Sequence, residues 1–516
     1  MAPSLAHASE GLASPLDLNS VPPFWRRKNG ILLYFLLTSS LLATASLGID
    51  GSMTNGMQVL VQWQDTFGNP TGARLGLFGA ANSIGGVVPI LFLSWMGDAF
   101  GRRMPTALGS VIIIAGALIE LFATSLNMYI GGKIVLGVGS SIIQMGAPVL
   151  VTELSHPKER VRITTFYNTS IVLGYVIGAW GTYGCAKISG AWAWKLPTLI
   201  QVLPSAYQFL LIWFCPESPR WLVAHGRVDE ARRILVKYHG EGDASSPLVH
   251  AELAEIEVAL AAERENNMSW REFFRSRGNL HRLAICVATA VFGQTSGNNL
   301  ISNYLTSILK ATGIESEADI TLVNGMVTVW QYIVCIGVCF LVDRLKRRTF
   351  FLVGSGGSAI VFVAWTIAAQ QYLDRGSLAG GRLVLACIFI FQFFYTFAWT
   401  NVSVTYMLEV TTYQMRAKAW ALSLLVIQCA TLFSSYVNPI GLENIGWKFF
   451  IYYDVWVFMI FVIVYFVFVE TAGPTLEELT FLFDGPSEKK AAVDKAAAAA
   501  LAEHHDTAIE KKAEKV

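Results

Sequence analysis

The chain has 516 residues, of which 53% are hydrophobic and 15% are charged, whereas about 25% of residues are charged in an ordinary soluble domain. This composition excludes a disordered chain, a fibre and an ordinary soluble enzyme, and it favours a membrane as the surrounding medium. The formal net charge of +1 excludes a protein whose main partner is a nucleic acid.

The first 30 residues are a polar tail that ends with Arg26, Arg27 and Lys28 next to the first apolar run. Because that run is too long for a typical signal core, it is interpreted as an uncleaved membrane span. Twelve runs reach about 20 residues, the length that crosses a bilayer core. Their approximate bounds are 31–49, 76–96, 105–124, 129–151, 165–186, 197–215, 283–304, 322–342, 350–369, 384–407, 419–438 and 449–469.

The distribution of Lys and Arg between the loops predicts the orientation. With the N-terminus inside, the inner loops hold eleven of these residues and the outer loops seven. By the positive-inside rule both termini are cytoplasmic, in a multi-pass protein of the cell membrane.

The predicted organisation follows from these spans. It comprises a cytoplasmic tail 1–30, a six-helix bundle 31–215, a cytoplasmic helical segment 216–282, a second six-helix bundle 283–470 and a cytoplasmic tail 471–516. The segment 216–282 is polar, with Glu and Lys at helical spacing. The fold class is therefore an all-α membrane protein with twelve transmembrane helices.

Enzyme chemistry finds no support in the residue pattern. The seven cysteines lie in or beside apolar stretches without a C-x-x-C pair, which indicates reduced packing residues. The eight histidines show no metal-ligand spacing. No pairing of a nucleophile with a base appears, so we expect no metal, no cofactor and no enzyme activity.

Charged motifs recur in the two halves. DAFGRR at 98–103 recurs as DRLKRR at 343–348, the pair Glu153 and Arg160 recurs as Glu409 and Arg416, and PESPR around Glu217 recurs as ETAGPT at Glu470. Each motif lies where a span meets the cytoplasm, with each glutamate expected to face the arginine that follows it. We predict ion-pair clasps that form in one conformation and separate in another; charges that merely fix topology are the alternative. The residues assigned to gating are Asp98, Arg102, Arg103, Glu153, Arg160, Glu217, Arg220, Asp343, Arg347, Glu409, Arg416 and Glu470.

The motifs resemble those of the sugar porters of the major facilitator superfamily. The resemblance rests on D-x-x-G-R-R, on Pro148 with Glu153, on PESPRWL at 216–222, on Q-x-S-G-x-N at 294–299 and on ET-x-G-x-T-L-E-E at 470–478. TELSHPKER, SRGN-x-x-RLAI and the stretch from Trp399 to Glu409 are most similar to the fungal lactose and cellodextrin permeases. The resemblance implies two pseudo-symmetric six-helix bundles, a sugar site between them and alternating access.

Asp50 ends the first apolar run, where a charged carboxylate costs roughly 2.5 to 3.5 kcal/mol near the bilayer centre. The resemblance implies that Asp50 takes up the coupling proton, with Lys133 at a position where the family has Arg. The alternative places Asp50 at the outer water interface, capping the next segment.

The seventh run is rich in amides, which both donate hydrogen bonds to sugar hydroxyls and accept them. The residues are Gln294, Asn298, Asn299, Asn303 and Tyr304. Against the family pattern, Gly293 and Asn303 replace a Gln and a Tyr, which suggests a roomier site. Further expected sugar contacts are Asn168, Trp399, Tyr406, Gln428 and Asn438.

Two alternatives concern residues near this site. Trp399 and Tyr406 also fit belt aromatics at the membrane interface. Gln144 and Gln331 are interpreted as hydrogen-bonding glue between helices.

The sequence therefore predicts import of a disaccharide or short oligosaccharide, such as lactose, cellobiose or a cellodextrin, by proton symport. A facilitative uniporter and a non-transporting sugar sensor are the alternatives. The expected partners are the sugar, the proton and membrane lipid, with no nucleic acid, and the protein is expected to be a monomer.

Overall fold

The computed structural model describes residues 22–265, 273–274, 276–311, 313–314, 316–342, 344–472 and 483. Every regular element in these ranges is a helix. Twelve spans are joined by three helices between the sixth and seventh and by the short helix Val61–Phe67 between the first and second, and single 3-10 turns lie at Phe24–Arg26 and Gly446–Lys448. The Asn168 side chain, Asp343 and most of the C-terminal tail lie outside the described residues.

The first half contains spans 1 to 6. They are span 1 (Lys28–Leu41 and Ala45–Met57), span 2 (Gly72–Phe100), span 3 (Arg103–Leu121), span 4 (Leu126–Leu154), span 5 (Arg160–Cys185) and span 6 (Trp192–Ile200 and Val202–Ile212). The short helices that follow are Pro219–Ala224, Val228–Tyr238 and Pro247–Glu265, here called the insert.

The second half contains spans 7 to 12. They are span 7 (Arg277–Thr295 and Asn298–Ala311), span 8 (Glu317–Leu341), span 9 (Arg347–Arg375), span 10 (Leu378–Tyr395, Thr396–Thr400 and Val402–Val410), span 11 (Tyr413–Ile445) and span 12 (Phe449–Val467). The spans alternate in direction, so the two ends of the protein differ in composition. Spans 1, 3, 5, 7 and 9 all begin with Lys or Arg at one end, here called the charged end, and the opposite end is the far end.

Eight stretches of the described helices are long and apolar enough to cross a membrane on length and composition alone. They are Lys28–Met57, Gly72–Leu93, Arg103–Leu121, Leu126–Leu154, Glu317–Leu341, Arg347–Arg375, Leu378–Val410 and Lys418–Val467. The last stretch covers spans 11 and 12 together. The remaining spans, 5, 6 and 7, are either rich in polar residues or interrupted: spans 6 and 7 are each built of two shorter helices.

Glycines allow spans 3 and 4 to cross closely. A Cβ atom added to Gly116 would lie 2.8 Å from the carbonyl oxygen of Gly132, and one added to Gly132 would lie 2.9 Å from that of Gly116. Only a residue without a side chain lets two helix backbones approach this far. This crossing fixes the position of Lys133, which follows Gly132 on span 4.

The two halves meet mainly where span 2 packs on span 11 and span 5 on span 8, and span 1 contacts spans 7 and 8. The hydrogen bonds that join the halves concentrate at the far end. Asn55 on span 1 accepts from the backbone amide of Thr306 (3.2 Å) and donates to the Asn324 side chain (3.3 Å), and Gln58 donates to the Asn303 carbonyl (2.8 Å). The space between the halves is therefore closed at the far end.

A buried polar cluster joins the insert to the first half at the charged end. Glu159, between spans 4 and 5, pairs with Arg27 (2.6 Å) and accepts from the Tyr34 hydroxyl (3.1 Å). His239 of the insert contacts Glu252 (2.6 Å), and its ring lies 5.2 Å from that of His156. Burial, followed by the positive charge of Arg27, lowers the pKa of His156 to about 3.

The cluster predicts a stability loss in acid. His156 is neutral in the folded protein and gains a proton near pH 6.5 when unfolded, so stability is complete above pH 6.5 and falls toward pH 3. The slope attributable to this residue is about 1.4 kcal/mol per pH unit. Thermal unfolding in detergent from pH 7.5 to 4.5 measures it, and His156→Gln should flatten the curve. If stability in His156→Gln depends on pH as steeply as in the parent protein, the assignment to His156 is wrong. His250→Gln, at an exposed histidine, is the control and should leave the pH dependence unchanged.

Candidate functional site

A cavity of about 360 Å³ lies between the two halves, within the size range of small-molecule sites. Its wall combines side chains of both halves, among them Asp50 and Lys133 from the first and Gln294, Asn298 and Trp399 from the second. Ile90, Leu93, Met407 and Leu424 extend the wall toward the charged end. The hydrogen bonds between the two halves lie on the far-end side of this cavity.

Asp50 and Lys133 form a buried ion pair in the wall of this cavity. The Lys133 ammonium donates to Asp50 Oδ1 at 2.5 Å and to the Thr54 hydroxyl at 2.6 Å, and Asn82 donates to Asp50 Oδ2 at 3.0 Å. Asp50 is 4% exposed and Lys133 2% exposed. Span 1 continues to Met57, so Asp50 lies within the span, and the alternative of a cap at the water interface is wrong.

Span 7 is broken beside the cavity. Gly297 takes φ of +107°, a conformation that favours glycine, and span 7 resumes at Asn298. The break frees the carbonyl group of Gln294, which accepts from Asn299 Nδ2 and from the Ser434 hydroxyl, both at 3.1 Å. A polar break is tolerated at membrane depth where it lines a cavity. The sequence S-G-N-N thus supplies both the break and its hydrogen-bond partner.

The amides of span 7 lie together in the cavity wall. Gln294 Oε1 accepts from the Thr431 hydroxyl at 3.2 Å, and Asn303 donates to the Ser435 hydroxyl at 3.3 Å, so span 11 orients both. Asn298 Oδ1 accepts from Gln392 at 3.5 Å. Gln428 on span 11 also lines the cavity and donates to Ser141 at 3.5 Å. The cavity thus brings together Asp50, Lys133, Gln294, Asn298, Asn299, Asn303, Trp399 and Gln428.

Trp399 lies in the wide π-helical turn Thr396–Thr400 of span 10. Such turns are frequent at functional sites because they redirect one side chain. The ring is 4% exposed, lines the cavity and packs against Phe351 and Phe292. The membrane-belt alternative is therefore wrong for Trp399.

Three predicted sugar contacts lie elsewhere. Tyr304 is fully buried and donates to the Ser435 carbonyl. Tyr406 exchanges hydrogen bonds with the Val469 backbone at 2.9 Å, tying span 10 to the end of span 12, so the belt alternative fails for it too. Asn438 accepts from the Tyr453 hydroxyl at 2.6 Å. All three hold helices together behind the cavity, which residue type alone could not reveal.

Several cavity residues were not among those expected from the sequence. Asn82, Tyr175 and Tyr395 line the wall, and Gln144 and Gln331, interpreted as glue, line it as well. Among the described residues, neither glutamine side chain forms a hydrogen bond with the protein, which corrects that interpretation. In the sequence, each of these residues is only a single polar side chain within an apolar span, and that was the only sign that it could line a cavity.

The first charge cluster lies where spans 2 and 3 meet. Glu217 accepts from the backbone amides of Arg102 (3.0 Å) and Arg103 (3.2 Å), at the start of span 3. The carboxylate therefore caps the positive end of a helix. Arg102 forms an ion pair with Glu153 at 3.4 Å, and Glu153 also accepts from the Ser218 hydroxyl.

The second half repeats this arrangement. Glu470 accepts from the backbone amides of Arg347 (2.8 Å) and Arg348 (3.1 Å) at the start of span 9. Arg347 pairs with Glu409 at 3.0 Å, and the Thr471 hydroxyl donates to Glu409 at 2.5 Å. Glu470, Arg347, Glu409 and Thr471 thus correspond to Glu217, Arg102, Glu153 and Ser218 of the first cluster.

These contacts add partners that the sequence did not predict. Glu153 and Glu409 were expected to face Arg160 and Arg416, and the ion pairs that the structure describes join them to Arg102 and Arg347 of the preceding motif. Glu153 and Arg160 nevertheless line one polar cavity beside the insert, together with Arg220. Arg416 donates to the Thr411 carbonyl at 3.5 Å. Asp98 is exposed and contributes its carbonyl group to Trp221. Each cluster lies within its own half, and among the contacts of the described residues neither cluster joins the two halves in this conformation.

Known proteins resemble the chain in sequence and in fold. Residues 36–483 match the family described as "Sugar (and other) transporter". "MFS-type transporter oryC" of Aspergillus oryzae is 28% identical over 89% of this chain and 86% of its own. The "High-affinity glucose transporter" of Kluyveromyces lactis is 26% identical over 81% of this chain and 79% of its own.

Among solved structures, the inward-open conformation of the xylose transporter XylE from E. coli has a TM-score of 0.73 at 19% identity. The match covers 87% of this chain and 99% of XylE. At this identity the likeness shows the fold, two six-helix bundles of the major facilitator type. The two relatives above are named for glucose or only as transporters, so neither bears on the lactose and cellodextrin group.

Proposed function

The chain belongs to the sugar transporter family of the major facilitator superfamily, and from this premise we propose that it imports a neutral sugar together with a proton. It is a multi-pass membrane protein and a transporter, not an enzyme. The observation that carries the proposal is the ion pair of Asp50 and Lys133, buried in the wall of the central cavity.

The ion pair supports proton coupling because Asp50 can also exist as a neutral acid, which changes the charge of the site by one. If Asp50 accepts a proton, the attraction to Lys133 is lost and both side chains become free to rearrange. Asp50 lies on the cavity wall, so a proton can reach it through the same space as the sugar. A residue that changes charge at the substrate cavity can bias the exchange between outward and inward conformations.

The cavity suits a neutral polyol. Asp50 and Lys133 offset each other, and most of the remaining polar wall consists of amides and hydroxyls, which donate and accept. Trp399 offers a ring face for the apolar side of a pyranose. A buried hydroxyl without a partner costs about 1 to 3 kcal/mol, so the density of amides favours a substrate rich in hydroxyls.

We extend the proposal to a disaccharide or short oligosaccharide, such as cellobiose, lactose or a cellodextrin. These are the substrates expected from the resemblance to the lactose and cellodextrin permeases. The supporting observation is free space at Gly293, where an added Cβ atom would find its nearest neighbour, a Trp399 ring atom, only at 3.9 Å. A hexose is the competing substrate, since the Kluyveromyces lactis relative is named for glucose.

Gly293→Ala tests the size of the substrate. The added methyl group fits without strain but narrows the space beside Trp399. We expect uptake of cellobiose to fall about tenfold relative to glucose, since one methylene in a pocket changes discrimination by that order. The ratio of the two uptake rates is the measurement. Equal losses for both sugars, or none, would contradict the assignment.

Transport itself is tested with labelled sugars in cells that lack other carriers. We expect accumulation above the external concentration that collapses when a protonophore is added. Accumulation that survives the protonophore would refute symport, and uptake that only equilibrates would identify a facilitator. A panel of hexoses, disaccharides and cellodextrins in the same assay identifies the substrate.

We also propose that the charged end faces the cytoplasm at the cell membrane. The basic residues that start five of the six odd-numbered spans support this orientation under the positive-inside rule. The cavity of this conformation then opens inward. Single cysteines near Arg227, labelled in sealed cells and in permeabilised cells, test the orientation.

A further inference from the structure

The π-helical turn Thr396–Thr400 decides where the ring of Trp399 points. Regular α-helix reaches Tyr395 before this turn and resumes at Val402 after it. A π-helical turn holds about one residue more than a regular turn, and each residue of an α-helix rotates the chain by about 100°. If span 10 were wound regularly here, its two parts would be rotated against each other, and Trp399 would lose its present direction.

The start and the middle of this turn are held by two neighbouring spans. The Tyr395 hydroxyl, directly before the turn, donates to the Gly293 carbonyl on span 7 at 3.0 Å. Span 9 packs against the middle of the turn at Gly354, where an added Cβ atom would overlap the Ala398 side chain and lie 2.9 Å from the carbonyl oxygen of Phe394. Because a π-helical turn departs from the regular hydrogen-bond pattern of the helix, contacts of this kind are needed to keep it.

The end of the turn is held by a reciprocal pair of hydrogen bonds, here called the clamp. Asn401 follows the turn on span 10, and Cys335 lies on span 8. The Cys335 thiol donates to Asn401 Oδ1 at 3.2 Å, and Asn401 Nδ2 donates to the Cys335 carbonyl at 3.0 Å. Cys335 is buried, and neither residue is among the described residues that line the cavity. The clamp therefore holds the turn from outside the proposed sugar site.

Trp399 borders the free space at Gly293, where we place the second unit of a disaccharide. An aromatic ring packs on the apolar side of a sugar through its face, so the gain in affinity depends on the direction of the ring. A ring that is free to turn also costs more entropy to fix when the sugar binds. The direction of Trp399 should thus affect the affinity for a disaccharide more than the affinity for a hexose.

We propose, on the premise of the sugar import inferred above, that the clamp between Asn401 and Cys335 keeps Trp399 in position for the sugar and thereby sets the preference for a disaccharide over a hexose. Both residues act through Trp399 and do not touch the sugar, so they are positioning residues. The competing explanation is that the clamp only joins spans 8 and 10. The two explanations differ in whether loss of the clamp still matters once the ring has been removed.

Asn401→Leu removes both hydrogen bonds and keeps the size of the side chain. We expect the KM for cellobiose to rise about tenfold, the order expected for two lost hydrogen bonds, and the KM for glucose to rise less. Cys335→Ala removes only the hydrogen bond of the thiol and should raise the KM for cellobiose about threefold. Cys335→Ser restores a donor and should return the KM to within about twofold of the parent value. Cys429→Ala, at an exposed cysteine of span 11, is the matched control.

The double variant Asn401→Leu with Trp399→Ala separates positioning from structural support. Trp399→Ala alone should raise the KM for cellobiose. Substitutions that act through the same contact are not additive, so the addition of Asn401→Leu should raise this KM no further. A further rise equal to that of Asn401→Leu alone would overturn the proposal. If Asn401→Leu fails to reach the membrane, Cys335→Ala is combined with Trp399→Ala in the same way.

The outcomes also distinguish the clamp from the proposed function. If Trp399→Ala raises the KM for cellobiose while Asn401→Leu and Cys335→Ala keep the parental values, only the role of the clamp is refuted. If Trp399→Ala leaves the KM for cellobiose unchanged, Trp399 is not part of the sugar site, and the proposed site fails together with the clamp. Equal rises for cellobiose and glucose in Asn401→Leu would refute the effect on substrate preference.

Discussion

Asp50→Asn is expected to abolish accumulation of sugar while leaving binding and exchange intact. The amide retains the size of the carboxyl group and can still contact Asn82, but it cannot take up a proton. Moving one proton down 100 mV supplies about 2.3 kcal/mol. At about 1.4 kcal/mol per decade this supports roughly fifty-fold accumulation. The inside-to-outside ratio of labelled sugar should therefore fall from about fifty to about one.

The design must separate lost coupling from lost folding. Asp50→Asn leaves Lys133 buried without its partner, and breaking a buried pair costs about 3 to 5 kcal/mol. The double variant Asp50→Asn with Lys133→Gln removes both charges and should fold while still failing to accumulate sugar. Asp454→Asn changes a half-buried carboxyl group on span 12, outside the cavity wall, and is the matched control. Accumulation in Asp50→Asn at the parental ratio would contradict the proposal.

Gln294→Ala is expected to raise the KM for the transported sugar by about ten- to a hundredfold. Gln294 lies in the cavity wall beside the break in span 7, and its side-chain oxygen is oriented by Thr431. Loss of a hydrogen-bond partner for a buried hydroxyl costs about 1 to 3 kcal/mol. The maximal rate should change less, because the backbone carbonyl that ties span 7 to span 11 remains.

Initial uptake rates over a range of sugar concentrations give both constants. Gln370→Ala, an exposed glutamine on span 9, is the matched control and should leave the KM unchanged. Expression at the membrane is checked by fluorescence of a fused reporter. A KM within twofold of the parent protein in Gln294→Ala would exclude this residue from the sugar site.

The fold could be predicted from the sequence because length and apolar composition determine spans directly. A run of about 20 apolar residues has few alternatives to a transmembrane helix. The internal repeat of charged motifs then divided the spans into two halves. Spans 5, 6 and 7 gave the weakest composition signal in the structure, since polar residues or helix breaks interrupt them.

The site was predicted less completely, because the face of a helix that meets a cavity depends on rotation and packing. Gln294 and Asn299 were identified through the amide-rich run, whereas Tyr304, one turn further, rotates behind the wall at a non-helical residue. Gln331 and Gln144 were assigned to the wrong role because glutamine is common both in hydrogen bonds between helices and in the walls of polar cavities. The partners of Glu153 and Glu409 depended on how spans 3 and 9 begin, which spacing along the chain does not reveal.

The two charge clusters bear on how the protein is made. The first cluster is complete once Glu217 and Ser218 have been synthesised, and none of its members comes from the second half. The second needs nothing from the first, and it closes only with Glu470 and Thr471, where the second half passes into the C-terminal tail. During translation, the first half can therefore form its own charge cluster while the ribosome is still making the second half. A chain that ends before residue 470 lacks the carboxylate that caps span 9, so the charge cluster of its second half cannot form.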